Sequence, residues 1–377
     1  MQAQATELVL PVSVSLSPPL RFSFVELPVL EPTRRAASQR AGLKQIAEEL
    51  GISMMTVSRA LNGRGDVAEA TRLRVLKAAK RLKYRPNRLV HALKSGRSRT
   101  VGVMISVWLS FNAKIIHGIH DVLAEHNCLP VLHFHGEGPQ ANRDEAELAY
   151  LHRLLDQRVD GIIFWPSDEA VPQMYLKEVW ERGVPLVAVD RCLPLTKADF
   201  SGTDDVAGGR LVAEHLLALG HRRIGHITGE SWVSTYADRR RGFEQALARQ
   251  PGVDLSVAEC ADVNSGDAAH RMLSRPNRPT AIFIPNDRMA LPIYEVAQSL
   301  RIEVGRDLSV VGFGTLEETK WLRPRLATVD QKPYQIGRAA AELLLDRIEG
   351  RAPTTKPRSA RVVPTIVRCD SLRAPGR

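Results

Sequence analysis

From Val101 to Val367 the chain alternates short apolar runs with longer amphipathic stretches, and this alternation constrains the fold more than any other feature. Runs such as VGVMI at 101–105 and LSVVGF at 308–313 have the length of buried strands, and the intervening stretches repeat apolar residues at helical spacing. Strands that alternate with helices form parallel sheets. About ten strands in two series predict two doubly wound parallel-sheet α/β subdomains, and ligands of such sheets bind outside the carboxyl ends of the strands.

The 377 residues divide into four parts by composition and periodicity. Residues 1–42 are rich in proline, serine and arginine without periodicity, so we expect a disordered N-terminal tail. Residues 43–84 have the pattern of a small all-α domain of three short helices, residues 85–100 form a basic linker with one short helical piece, and residues 101–377 carry the α/β pattern. We expect one subdomain at about 101–204 and 331–352, and the other at about 205–330 and 353–370.

The net charge of +10 is concentrated in one segment. Between Leu43 and Arg99 there are fourteen lysines and arginines and four aspartates and glutamates, an excess equal to that of the whole chain. A basic module of this kind attached to a neutral body is typical of a nucleic-acid-binding protein. A basic face that only contacts water is the alternative interpretation.

The segment LKQIAEELGISMMTVSRALN, residues 43–62, has the spacing of a helix-turn-helix. Ala47 leaves room where two helices cross, Gly51 can take the left-handed conformation of the turn, and Val57 fits the angle between the helices. Ser53 is a natural N-cap for the second helix, whose N-terminal residues contact base edges in such motifs. The core should be completed by Leu43, Ile46, Leu50, Ile52 and Leu61.

Two adjacent methionines, Met54 and Met55, open this recognition helix. Buried positions on one helix face lie three or four residues apart, so both methionines cannot be core residues. We expect them to face the DNA and to pack on thymine methyl groups and other apolar base edges. Arg59, one turn later, has the chemistry to contact guanine, and Thr56 and Ser58 suit phosphates. The alternative is that the methionines fill gaps in the core.

The chain resembles the LacI/GalR family of bacterial repressors over residues 43–370. The resemblance begins with LKQIAEELGISMMTVSRALNGRGDVAEATRLRVLKAAKRLKYRPN and continues in order through RVDGIIFWPS, PLVAVDR, LVAEHLLALGHRRIGHITG, RPTAIFIPNDRMA, LSVVGFG and IGRAAAELLLDRI. It implies a helix-turn-helix domain, a hinge helix and a periplasmic-binding-protein-like (type I) domain. It also implies a transcription factor, not an enzyme, that binds a palindromic operator as a homodimer. A small-molecule effector would control that binding, by induction or by co-repression.

The resemblance also assigns a role to the basic linker at residues 85–100, which we call the connector. Its hinge helix would order on DNA and insert Leu93 as an apolar wedge into the minor groove, with Arg88 and Lys94 neutralising phosphates. The serine that usually begins the third helix of the family is Ala68 here, which removes a cap worth ~1 kcal/mol. The expected DNA contacts are Ser53, Met54, Met55, Thr56, Ser58, Arg59, Asn62, Tyr84, Asn87, Arg88, Leu93 and Lys94.

The resemblance places the effector between the two subdomains. The residues that match family ligand positions are Phe111, Asn112, Asp190, Arg191, Thr235, Arg239, Asn286 and Asp287. An aromatic face, an arginine fork and an Asn/Asp pair suit a polyhydroxylated or heterocyclic ligand, and structural roles are the alternative. Trp108, Trp165, Trp232 and Trp321 lie near strand ends, and because tryptophan stacks on sugar rings we favour a saccharide and add Trp165 to the site. Gly314 stands where sugar-binding members often have a carboxylate, which disfavours galactosides.

The motif inventory argues against catalysis. The sequence lacks G-x-x-x-x-G-K-[ST], G-x-S-x-G and H-E-x-x-H, so we expect no enzyme activity and no cofactor. The pairs His117/His120 and His133/His135 lack a third ligand at suitable spacing, and we expect no metal. Four widely spaced cysteines and the lack of an apolar run of ~18 residues indicate a reduced, cytoplasmic protein without a membrane span.

Two other classes of protein share part of this pattern. A solute-binding protein of a transport system would share the α/β body but would need a signal sequence and would lack the basic helical module. A non-specific DNA-binding protein would share the charge but would not need a ligand cleft, and it would lack the roughly 10³-fold preference that a repressor has for its operator. No heptad pattern follows Val367, which favours a dimer over a tetramer.

Overall fold

The computed structural model describes residues 42–61, 67–84, 96–105, 110–133, 140–166, 173–193, 198–353 and 356–376. The chain forms two separately packed units that divide between Pro86 and Asn87. Residues 1–41 of the expected tail and 85–95 of the expected hinge and linker lie outside the described ranges. Within those ranges, no helix has both the length and the apolar composition needed to cross a membrane.

The smaller unit consists of three helices. Their bounds are Leu43–Leu50 (α1), Met54–Leu61 (α2) and Glu69–Arg81 (α3). Gly51 ends α1 with a φ of 65°, the left-handed conformation that lets the chain turn into α2 without a steric penalty. Ile46, Val57 and Val75, one from each helix, are fully buried at the centre of the core. The predicted helix-turn-helix and its apolar core are therefore confirmed.

The larger unit contains two six-stranded sheets. The strands of the first sheet are Thr100–Met104 (β1), Leu129–His133 (β2), Gly161–Phe164 (β3), Leu186–Val189 (β4), Asp199–Thr203 (β5) and Ser359–Val362 (β11). The strands of the second sheet are Arg223–Thr228 (β6), Asp254–Glu259 (β7), Ala281–Phe283 (β8), Ser309–Phe313 (β9), Ala327–Asp330 (β10) and Thr365–Val367 (β12). Their orders are β11-β5-β4-β3-β1-β2 and β12-β10-β9-β8-β6-β7. The pairings are parallel except that of β12 with β10, so the predicted doubly wound architecture is confirmed.

Helices follow most of these strands. They are Ser110–Glu125 (α4), Gln140–Asp156 (α5), Gln173–Glu181 (α6), Asp205–Ala218 (α7), Ser234–Leu247 (α8), Ser265–Leu273 (α9), Ala290–Ser299 (α10) and Pro333–Ile348 (α11). Short 3-10 helices occupy Asp262–Asn264, Asp287–Met289 and Glu317–Trp321.

Two helix crossings depend on glycine. α4 meets α11 at Gly118 and Gly337, where a Cβ on Gly337 would collide with the carbonyl oxygen of Ile115. α7 meets α8 at Gly209 and Gly242 in the same manner, with helix backbone where each Cβ would lie. Because the side chains at a contact set the distance between helix axes, these glycines allow each helix pair to pack unusually closely.

Two strands were not expected from the sequence. β5 (DFSGT) has no apolar run, yet all five of its residues are buried, because polar groups such as the Ser201 hydroxyl find partners inside the protein. β7 (DLSVAE) lies at the edge of the second sheet and is only partly buried, so it also lacks a continuous apolar run. Neither strand could be recognised from the sequence, because the buried residues of β5 include polar ones and β7 is only partly buried.

The C-terminal run ARVVPTIV contributes one strand to each sheet. β11 pairs with β5 in the first sheet, and β12 pairs with β10 in the second. Pro364 separates the two strands, and proline cannot donate a ladder hydrogen bond. Residues 356–362 therefore lie with the first sheet, and the subdomain boundary expected after residue 352 is corrected to the link between Val362 and Thr365.

The chain passes between the subdomains three times, after β5, after β10 and after β11. All three crossings leave from the carboxyl ends of strands. At the first two crossings, the Thr203 Oγ1 donates a hydrogen bond to the Gln331 Oε1 across 3.0 Å, and both side chains are buried. The carboxyl ends of the strands therefore lie beside the junction of the subdomains, where ligands of α/β sheets bind.

Candidate nucleic-acid interface and effector cleft

The first turn of α2 is capped by Ser53, as predicted. The Ser53 Oγ accepts a hydrogen bond from the Thr56 N–H at 3.0 Å and also lies 2.9 Å from the Thr56 Oγ1. An N-cap of this kind satisfies a backbone donor that the helix itself leaves unpaired. The cap fixes the point at which α2 begins.

Met54 and Met55 both lie outside the core of the smaller unit. Their side chains are 54% and 63% exposed, so neither fills a gap among buried residues. Arg59 is exposed on the same helix, whereas Thr56 and Ser58 are half-buried. The start of α2 therefore presents two flexible apolar side chains to solvent, as a base-reading surface requires. Contact of these residues with bases stays a prediction.

The third helix of the smaller unit lacks a side-chain cap. Ala68 occupies the N-cap position. As expected from the sequence, its side chain has no atom that could accept a hydrogen bond from the helix N–H groups. An ion pair between Arg81 and Glu49 joins α3 to α1. Tyr84 packs against the core, and burial raises the pKa of its phenol. The other expected DNA contacts lie outside the described residues: Asn62, Asn87, Arg88, Leu93 and Lys94.

In the larger unit, Phe111 and Asn112 begin α4 after the first strand, but both are buried. Phe111 belongs to the core of the first subdomain, and this core also includes Leu316 from the second subdomain. Phe111 therefore packs at the junction of the subdomains and does not form an open stacking face. Trp108 lies outside the described residues, and Trp232 and Trp321 are both exposed.

Trp165, Asp190 and Arg191 form a cluster at the carboxyl ends of β3 and β4. The Trp165 indole Nε1 donates to the Asp190 Oδ2 at 3.2 Å, and the Arg191 guanidinium carbon lies 4.6 Å from the Trp165 ring centroid. The other carboxylate oxygen, Asp190 Oδ1, is buried and has no hydrogen-bond partner among the described residues. Asp190 also has a φ of 65°, a backbone conformation that is uncommon for residues other than glycine. A ligand donor would satisfy this unpaired acceptor.

Arg239 is held by protein groups on all three of its nitrogens. Its Nε donates to Asp205 Oδ1 at 2.7 Å, its Nη1 to the Pro285 carbonyl at 2.6 Å, and its Nη2 to the Gln331 Oε1 at 3.0 Å. Its guanidinium carbon also lies 3.9 Å from the ring centroid of Phe313. Burial raises the pKa of Asp205 to about 7, although the attraction of Arg239 opposes this effect. The structure thus places the expected ligand fork in a buried network beneath the cleft.

Asn286 and Asp287 are adjacent in sequence but point to different partners. The Asn286 Nδ2 donates to the Tyr236 hydroxyl at 3.1 Å, in the first turn of α8. Asp287 is fully buried, and its carboxylate accepts hydrogen bonds from the Thr328 hydroxyl at 2.7 Å and the Leu316 N–H at 3.1 Å. Burial raises the pKa of Asp287 to about 6. Asp287 therefore fixes the loop after β9 through its hydrogen bond with the Leu316 N–H.

Tyr236 and Asp262 contact Asn286 but were not named from the sequence. The Tyr236 hydroxyl donates to the Asp262 carboxylate, with oxygens at 3.1 and 3.2 Å. Burial raises the pKa of both groups, that of Tyr236 to about 12, and the positive charges of Arg288 and Arg191 partly offset the rise for Asp262. Asp262 follows β7, so recognising that strand would have pointed to it. Thr235, the neighbour of Tyr236, is buried.

The subdomains also contact each other beside the cleft. The Ser110 hydroxyl, at the start of α4, donates to Glu318 Oε2 at 2.9 Å and accepts from the Glu317 N–H at 3.0 Å. The Lys114 ammonium donates to Glu317 Oε1 at 3.0 Å. These contacts join the first subdomain to the 3-10 helix of the second, and we call them the latch.

One histidine of each pair considered as metal ligands packs against a tyrosine ring. His133 stacks on Tyr150 with ring centroids 3.5 Å apart, and His117 meets Tyr334 edge-on at 5.5 Å. His135 lies outside the described residues. Across the described ranges, no group of three or more histidine, cysteine, aspartate or glutamate side chains is arranged to hold a metal ion.

The chain is similar to known proteins in both units. The family described as bacterial regulatory proteins, lacI family, matches residues 42–87, and the periplasmic binding protein-like domain matches residues 213–372. A curated relative, the HTH-type transcriptional repressor PurR of Escherichia coli, is 31% identical over 337 residues, which cover 87% of this chain and 95% of the relative.

Solved structures agree with this match. The lac repressor dimer bound to operator and the anti-inducer ONPF has a TM-score of 0.72 and 26% identity, covering 89% of this chain and all of that chain. The complex of the transcriptional regulator CelR with cellobiose has a TM-score of 0.63 and 28% identity, covering 88% of this chain and all of that chain. With a helix-turn-helix unit, two parallel-sheet subdomains and near full-length similarity to a repressor, the chain belongs to the LacI family of bacterial transcriptional regulators.

Proposed function

We propose that this transcriptional repressor binds a palindromic DNA operator as a homodimer in the cytoplasm, and that a saccharide in the cleft controls this binding. Its relatives are repressors and not enzymes, and we extend the absence of catalysis to this chain. The observation that carries the proposal is the capped start of α2, which exposes Met54 and Met55 in the basic segment of the chain. Two such helices in a dimer would enter successive major grooves of a palindrome.

Exposed apolar residues on the second subdomain support a homodimer. Trp321 is 82% exposed and Leu291 is 54% exposed. Their segments are neighbours, since the Tyr294 hydroxyl on α10 donates to the Pro324 carbonyl at 3.1 Å. Large exposed apolar side chains on adjacent elements are typical of a protein–protein interface. The similar lac repressor structure is that of a dimer on its operator, which agrees with this assignment.

The cleft chemistry supports a polyhydroxylated effector. Asp190 offers an unpaired buried carboxylate oxygen, and a sugar hydroxyl is a donor of suitable strength for it. Because Arg191 lies over the Trp165 ring, we propose that Trp165 orients Asp190 and does not stack on the sugar. The similar CelR structure contains cellobiose, which favours a saccharide here as well. We propose that Arg191, Tyr236 and Asn286 complete the site, whereas the buried Phe111, Thr235, Arg239 and Asp287 support it from within the protein.

Selection from random duplex DNA with the purified chain, at moderate salt and with and without a sugar mixture, tests this function. The proposal predicts an enriched palindrome and a dimer in sedimentation analysis of the protein–DNA complex. A preference over random sequence of roughly 10³ or more separates it from non-specific DNA binding. Equal recovery of all sequences under both conditions would overturn it, and sugar binding without DNA binding would favour the solute-binding alternative.

A further inference from the structure

The described part of the connector, residues 96–99, leads directly into β1 of the larger unit. The Asp160 carboxylate holds this segment with three hydrogen bonds. Its Oδ1 accepts from the Ser98 N–H at 2.7 Å and the Ser98 hydroxyl at 2.9 Å, and its Oδ2 accepts from the Arg99 N–H at 2.8 Å. Hydrogen bonds to an ionised carboxylate are about twice as strong as neutral ones. We call this arrangement the connector anchor.

The connector anchor rests on the centre of the first sheet. Asp160 directly precedes β3, and its own N–H donates to the Thr100 carbonyl at 2.8 Å at the start of β1. β1 and β3 pair in parallel from this point, and their residues are buried. Asp160 therefore has little freedom to move relative to the sheet, and the segment that it binds is fixed with it.

A second contact joins the connector to α11. The Arg97 Nη2 donates to the Ile348 carbonyl, at the last residue of α11, across 2.8 Å. A cation at a helix C-terminus is favourable because the last carbonyl groups carry partial negative charge. Together, Asp160 and Ile348 fix the connector from two different elements of the first subdomain.

The other end of α11 lies at the effector cleft. The helix begins at Pro333, two residues after Gln331, whose Oε1 accepts hydrogen bonds from both Arg239 and Thr203. The sixteen residues of α11 span about 24 Å at 1.5 Å per residue. Most of the inner face of α11 is buried in the first subdomain core, which favours movement as one body. The helix thus connects the network under the cleft with the connector anchor.

We propose that Asp160 is a positioning residue for operator binding: it fixes the point at which the connector leaves the effector-binding unit, and α11 links that point to the cleft. This proposal rests on the operator binding proposed above. It requires no contact between Asp160 and DNA, because covalent continuity from Ser98 towards the DNA-binding unit carries the effect. Coupling between two such sites is typically about 5-fold to 150-fold in affinity.

The test compares Asp160→Asn with Asp156→Asn, in the full chain and on the operator selected from random DNA. An amide at 160 turns one acceptor into a donor that faces the N–H groups of Ser98 and Arg99, whereas the control residue Asp156 is exposed and pairs with Arg182. We expect Asp160→Asn to lose about tenfold in operator affinity, with saccharide affinity unchanged and the effector-binding unit still folded. The Asp156→Asn control should match the wild type.

Ser98→Ala removes one of the three bonds without placing a donor in the anchor, so it should lose operator affinity to a smaller extent and remains informative if Asp160→Asn does not fold. Equal operator affinity of the folded Asp160→Asn variant and the wild type would overturn the proposal. A parallel loss of operator affinity, saccharide affinity and melting temperature would also overturn it, because it would show a purely structural role. If the wild-type chain selects no operator, that result contradicts the proposed function and not the role of Asp160.

Discussion

The Arg239 guanidinium and the Asp205 carboxylate form an ion pair with an N–O distance of 2.7 Å, and both side chains are at least 95% buried. A buried ion pair contributes little net stability, but removing one partner leaves an uncompensated charge in the interior. We expect Arg239→Met to lower the free energy of unfolding by about 3–5 kcal/mol. The double variant Asp205→Leu/Arg239→Met should lose less than either single variant in urea unfolding. Strictly additive losses would contradict the coupling.

The two helix starts of the smaller unit allow a matched pair of stability variants. Ser53→Ala removes a side-chain cap and should lower the stability of that unit by about 1 kcal/mol. Ala68→Ser should raise it by about the same amount, because the N-cap residue of α3 already has ψ of 137° and only the side-chain acceptor is missing. Denaturant unfolding followed by circular dichroism measures both. Equal effects of opposite sign are expected, and destabilisation by Ala68→Ser would show that the cap geometry is unsuitable.

Met54 and Met55 should determine operator choice without affecting folding. Both are exposed, so Met54→Ala/Met55→Ala should leave the melting temperature unchanged. Loss of the apolar base contacts should weaken operator binding about tenfold or more, since base contacts contribute about 1–3 kcal/mol each. Binding to random DNA, measured at the same salt concentration, should not change. A uniform loss of affinity for both DNAs would instead indicate that the methionines act through general packing.

His226 should make the effector-binding unit sensitive to acid. The His226 Nδ1 donates to the Phe283 carbonyl at 3.0 Å, and the His226 and Phe283 rings stack with their centroids 4.7 Å apart. Burial lowers the pKa of His226 to about 4. The unfolded state binds the additional proton below pH of about 6.5, so this stability is present above that pH and is lost as pH falls towards about 4. His226→Phe should reduce the loss of stability between pH 7.5 and 5 by about 2 kcal/mol. His270→Phe, the same substitution at an exposed position, is the control.

The latch should contribute to cleft closure. Glu318 accepts hydrogen bonds from both the N–H and the hydroxyl of Ser110 at the start of α4. Glu318→Ala should weaken saccharide binding about fivefold in calorimetry, because closure then lacks these contacts. Glu342→Ala, which removes an exposed carboxylate paired with Arg338 on one helix, is the control. Unchanged saccharide affinity in Glu318→Ala would show that the latch does not participate in binding.

Local features of the fold were predictable from the sequence because neighbouring residues determine them. The turn at Gly51, the cap at Ser53 and the exposure of Met54 and Met55 depend on residues within one helical turn. The alternation of strands and helices was also readable, since buried parallel strands are continuous apolar runs. β5 and β7 were missed because one is buried but polar and the other is an edge strand.

The network beneath the cleft was not predictable, because its partners are distant in sequence. Arg239 was assigned to the ligand, but its partners Asp205 and Gln331 lie 34 and 92 residues away. Asp287 was assigned to the ligand together with its neighbour Asn286, yet its carboxylate is bound to Thr328 below the loop. A motif identifies the residues that meet at a site, whereas only the fold shows which of them are committed to other side chains.

The coupling between cleft and DNA is the central claim, and one titration tests it most directly. The affinity of the wild-type chain for its selected operator is measured at fixed salt as each candidate saccharide that binds the protein is added. The account predicts at least one saccharide that changes operator affinity by about fivefold or more while affinity for random DNA stays constant. Operator affinity that is unchanged at saturation by every saccharide that binds the cleft would contradict it.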